Sequence, residues 1–114
     1  MEHERRKFRR LNFICKVTAV FGERVLVFNS HTEDVGEGGV RVVLEDKLHI
    51  STQVEVSLFL AGKEDSINCK GEVIWVREIL PVDVGPRFFH TGIKFLDITA
   101  ADREILKRLL EEQK

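Results

Sequence analysis

From position 11 the chain reads LNFICKVTAV, and apolar and polar side chains alternate along it. Leu11, Phe13, Cys15, Val17 and Ala19 share one face, while Asn12, Lys16 and Thr18 take the other. A period of two predicts a half-buried strand, weakened only by Ile14 and Val20. Phe21-Gly22-Glu23 supplies a turn, and RVLVFN from Arg24 follows as a second strand rich in β-branched and aromatic residues. SHTEDVGEGG then reads as an interruption, because Gly36, Gly38 and Gly39 are poor strand formers. Strand character resumes with VRVVLE at Val40.

The alternation returns at Val54, Val56, Leu58 and Leu60, set against Glu55, Ser57 and Phe59. Ala61 to Asp65 is polar and turn-like, and a further strand is predicted from about Ile67 to Arg77. LPVDVGPR carries both prolines, Pro81 and Pro86, and joins two antiparallel strands. The last strand, Phe89 to Leu96, places Phe89, Thr91, Ile93 and Phe95 on one side. Thereafter the period lengthens. Ile98, Ile105, Leu106, Leu109 and Leu110 recur at helical steps, and Thr99 with Asp102 has the form of a helix-start capping box. A helix over about 99–112 is predicted. About six short strands followed by one amphipathic helix imply a mainly β fold, an antiparallel barrel with the helix packed on it.

The 114 residues leave room for one domain, and a hydrophobic share of 43% suffices for one core. We divide the chain into a flexible arginine-rich arm, 1–10, and a barrel domain with its helix, 11–114. No apolar run approaches the ~18 residues of a membrane span, and MEHERRKFRR has no apolar segment behind it as a signal peptide would. A soluble cytoplasmic protein, not inserted in a membrane, is therefore expected. Cys15 and Cys69 lie in apolar stretches and read as buried reduced thiols. His3, His31, His49 and His90 are scattered without ligand spacing, so no metal site is expected.

Net charge is −1, yet Arg5, Arg6, Lys7, Arg9 and Arg10 crowd positive charge at one end. A solvated basic tail is the plain reading. Arginine dominates it, however, and guanidinium offers a planar fork to phosphate or to guanine O6 and N7, and can stack on a base. Asp34-Val35-Gly36-Glu37-Gly38-Gly39 reads first as a glycine-rich turn. The same loop would let backbone amides approach an anion, while a carboxylate accepts from the N1 and N2 hydrogens of guanine. No Gly-Lys-Ser/Thr follows, so it is not a phosphate loop of the nucleotide-hydrolase type. Trp75 in GEVIWV reads as a core aromatic rather than a ligand-stacking one. No nucleophile elbow, metal triad or carboxylate pair is placed together, so an enzyme is not expected.

In this order and spacing the segments resemble a PilZ domain over almost the whole chain. Arg5-Arg6-Lys7-Phe8-Arg9-Arg10 is similar to that family's RRxxxR, and Asp34 to Gly39 is similar to its (D/N)xSxxG. Gly71 to Glu78 and Thr91 to Thr99 match further family segments. The resemblance implies a six-stranded barrel with a C-terminal helix. It also implies a non-catalytic receptor for cyclic di-GMP, bound as ligand with no other cofactor, in motility or exopolysaccharide control. Arg6 and Arg10 would clamp phosphate and guanine with Arg5 assisting; Asp34 would hold a guanine edge, and Gly39 would keep the loop close. Arg5/Arg9 and Arg6/Arg10 both satisfy RxxxR, and the family's doubled arginine alone favours the second pair. Gly36 stands where the family has serine, which removes one hydroxyl contact. The resemblance further implies an unidentified effector protein as partner, and admits a homodimer. The alternative is an adaptor that binds protein without nucleotide. A strand-binding barrel fits poorly, since net charge is near zero and tyrosine is absent, so neither DNA nor RNA is expected as partner.

Overall fold

The computed structural model describes residues 13–59, 66–79 and 85–112, together with the backbone of Phe8–Arg9. The elements are β1 (Phe8–Arg9), β2 (Ile14–Phe21), β3 (Arg24–Gly36), β4 (Gly39–Leu44), β5 (Gln53–Phe59), β6 (Ser66–Ile79), β7 (Phe88–Phe95) and α1 (Ala100–Glu112). Antiparallel pairing runs β3–β2–β5–β6–β7–β4 and returns to β3. Six strands thus close a barrel, which leaves no exposed sheet edge where the ring is fully paired. The mainly β reading with one C-terminal helix holds.

Alternation decides which side chains enter the barrel. Cys15, Val17 and Ala19 of β2, Val54, Val56 and Leu58 of β5, and Ile93 of β7 are buried together. Ile14 and Val20, which break the pattern, point outward and are exposed. Burying each large apolar side chain contributes about 1.5–3 kcal/mol, so this inward face supplies much of the fold's stability. Gly22, at φ 62, closes β2 onto β3 in a two-residue hairpin across Phe21 and Arg24. Glycine takes that left-handed backbone without a β-carbon clash.

β3 departs from expectation. It does not stop at Asn29 but runs to Gly36, so most of the segment expected as an interruption is strand. Low strand propensity is overridden by pairing on both edges: Val35 lies opposite Arg9 on one side and Val40 on the other. Only Glu37 and Gly38 remain as the connection to β4. Within the segment read as an arm, Phe8 and Arg9 are β1; its other residues lie outside the described ones.

The helix starts as its sequence predicts. The amide of Asp102 donates to Thr99 Oγ1 at 3.1 Å, and the amide of Arg103 to the Thr99 carbonyl at 2.9 Å. Ile98, Leu106 and Leu110 join the barrel core, Leu109 packs against it, and α1 contacts β3. Ile105, expected on the same stripe, is instead exposed.

Candidate functional site

Two β-bulges shape one outer face of the barrel. The β3–β4 register passes from Thr32↔Val42 to Asp34↔Arg41, which leaves Glu33 as an extra residue on β3. Thr32 and Val35 both point inward, so Glu33 and Asp34 emerge side by side on the outside. Both carboxylates meet Arg41. Its Nη2 lies 2.9 Å from Asp34 Oδ2 and 3.5 Å from Glu33 Oε1. The Nε of the same guanidinium is buried and has no acceptor among the described residues. An unused buried donor of this kind costs about 1–3 kcal/mol.

The second bulge lies on β6. Val73 pairs with Ile93, and Trp75 then pairs with Gly92, so Ile74 is the extra residue. Ile74 and Trp75 both reach the outer surface, at 47% and 36% exposure. Trp75 is therefore not a core aromatic, contrary to expectation. Its indole lies over Gly92, where any β-carbon would collide with the ring. Gly39 is fixed by a comparable constraint, since a β-carbon there would strike the carbonyl oxygen of Ile93. Glycines at these two positions let backbone and indole close on one another.

Between the two bulges lies a half-open cleft of about 290 Å³, lined by Asp34, Gly39, Arg41, Trp75, Gly92 and Lys94 among others. That is the small end of ligand sites, roughly 300–1,000 Å³. It offers a carboxylate acceptor, two cations and an aromatic surface.

The sequence-predicted residues divide as follows. Asp34 and Gly39 line the cleft. Gly36, two residues beyond Asp34, lies on the same face of β3 and is buried, with its backbone opposite Phe8. Arg5, Arg6 and Arg10 lie outside the described residues. The ladder Phe8↔Gly36 and Arg9↔Val35 nevertheless ties the chain between them to the strand that carries Asp34. Arg41, Gly92 and Lys94 escaped the sequence reading, which named Trp75 but assigned it to the core. A cation two residues after Gly39, on the strand following the acidic loop, was the one signal available.

Other chemistry is poorly supported. Burial pushes the Cys15 thiol up to about 12, with Cys69 adding to it. Burial likewise raises Cys69 to about 11, helped by the carboxylates of Asp97 and Asp102. Both thiols stay protonated near neutral pH and are poor nucleophiles. Among the described residues no group of histidine, cysteine and carboxylate side chains converges to hold a metal, and no helix is long and apolar enough to cross a membrane.

Fold and cleft together define a small closed barrel with a C-terminal helix and a ligand-sized recess on its outer face. The chain matches the PilZ domain over residues 4–112, and it belongs to that family. Among solved structures it is similar to the PilZ domain of YcgR from Escherichia coli with c-di-GMP, at 17% identity and a TM-score of 0.67, covering 95% of this chain and 90% of that one. It is similar also to the MrkH–c-di-GMP complex of K. pneumonia, at 16% identity and a TM-score of 0.71, covering 99% of this chain and 53% of that one. The inhibitor of motility MotI/DgrA of Bacillus subtilis shares 16% identity with a TM-score of 0.64, covering 100% of this chain and 55% of that one. The chain thus spans about half the length of MotI and MrkH. No curated protein matches it.

Proposed function

We propose that the chain is a non-catalytic, cytoplasmic receptor for cyclic di-GMP that passes the signal to an effector protein. The observation that carries this reading is the β1–β3 ladder, which ties the arginine segment to the strand bearing Asp34 and Gly36, beside the cleft. In this reading Arg6 and Arg10, with Arg5 assisting, grip phosphate and guanine. The Asp34 carboxylate accepts from a guanine edge, and Gly39 lets the backbone come close. The exposed indole of Trp75 offers a base a stacking surface. Family membership supports the reading, as do the ligand-bound relatives. A titration of the purified protein with cyclic di-GMP tests it, and binding at micromolar affinity or tighter is expected. Each charge-assisted contact contributes about 1.5–3 kcal/mol, so Arg6→Ala with Arg10→Ala should weaken binding by about a hundredfold or more. Unchanged affinity in that pair would rule out the clamp.

Gly36 in place of serine favours one second reading, an adaptor that binds protein alone. A flat titration with the wild-type chain would select it.

A further inference from the structure

The bulge at Glu33 creates an electrostatic conflict at the cleft. Glu33 and Asp34 emerge on one face, and Glu37 follows on the connection to β4. A cyclic dinucleotide carries two phosphate charges, and those carboxylates repel it. Asp34 is nevertheless the side chain placed to accept from a guanine edge. We infer that Arg41 is the internal counter-ion of the cleft: it fixes the Asp34 carboxylate and neutralises the Glu33–Asp34 pair, so that a dianionic ligand can use Asp34. The inference rests on the receptor reading above.

Three observations support it. Among the described residues Arg41 reaches both carboxylates, through one nitrogen, at 2.9 Å and 3.5 Å. Its ion pair with Asp34 is made at Oδ2. An ionised carboxylate has about four acceptor positions, so acceptor sites remain for the two hydrogens of a guanine edge. Finally, Arg41 leaves its buried Nε without an acceptor among the described residues. An arginine retained for barrel stability would be expected to use that donor. Lys94 also lines the cleft but makes no described ion pair with either carboxylate.

Arg41 is thus a positioning residue, and its removal should be felt through Glu33. Cyclic di-GMP titrations of wild type, Arg41→Gln, Glu33→Gln and the double variant test this. Arg41→Gln should weaken binding about tenfold or more. Glu33→Gln should tighten it by roughly two- to fivefold, because one repelling charge is gone and Arg41 is left to Asp34 alone. The double variant should recover part of the Arg41→Gln loss, which a residue holding only the fold would not do. Arg41→Gln within about twofold of wild type overturns the inference, as does Glu33→Gln with unchanged or weaker binding. The second arm decides alone if Arg41→Gln fails to fold. A wild type that does not bind at all sinks the receptor reading with it; binding by wild type with either failure above sinks this inference only.

Discussion

The two halves of β3 are one strand with opposite burdens. Arg24–His31 pairs with β2, and its outward side chains Val25 and Val27 are more than half exposed. Thr32–Gly36 is flanked by β1 on one edge and β4 on the other, with Thr32 and Val35 buried. By composition the ranking should be reversed, since the first half is β-branched and aromatic and the second is acidic and glycine-bearing. Position in the ring outweighs propensity. The first half has its second edge outside the described barrel ladders, whereas the second half closes the ring and carries the candidate site.

The largest expected effect follows from putting the same charge into each half. Val35 is 0% exposed, so Val35→Asp leaves an unpaired charge in the core and should cost about 3–5 kcal/mol. Val27 is 52% exposed, and Val27→Asp should cost no more than about 1 kcal/mol, the span of strand propensity. Urea denaturation of the two variants measures both. Comparable losses would show that the halves are equivalent after all.

A smaller effect separates the two glycines that follow. A β-carbon at Gly38 meets open space, while one at Gly39 meets the backbone of Ile93. Gly39→Ala must therefore shift β4 against β7, at about 1–3 kcal/mol, whereas Gly38→Ala should stay within about 0.5 kcal/mol. Thermal unfolding distinguishes them. Equal melting temperatures would mean that the close approach of β4 to Ile93 does not constrain position 39.

What was legible in the sequence follows the same division. In β2, β5 and β7 the buried side chains fall on alternate positions, and these inward residues could be named from the period alone. The helix start at Thr99 was legible because its capping needs one hydroxyl three residues before one amide. Both bulges escaped. A bulge sends two successive side chains to one face, which no period of two anticipates. Trp75 owes its exposure, and Arg41 its two carboxylate neighbours, to those bulges, so Arg41 passed as a strand cation and Trp75 as a core ring. Asp34 and Gly39 stood out because the family motif is fixed by residue type rather than by period, and Gly36 stood out as the departure from it.

The finest test concerns Gly36, at the end of the closing half. It lies on the Asp34 face of β3, opposite Phe8, and it stands where the family has serine. If that face meets the ligand, Gly36→Ser restores one hydroxyl contact. A neutral hydrogen bond contributes about 0.5–1.5 kcal/mol, so cyclic di-GMP should bind up to about tenfold more tightly. The same substitution in a strand flanked on both edges is expected to leave the barrel intact, since glycine is the weaker strand former. Tighter binding with unchanged melting would tie the ligand to the closing half of β3. Unchanged binding would instead place position 36 behind the β1 ladder, out of the ligand's reach, and would leave Asp34 as the contact that β3 makes.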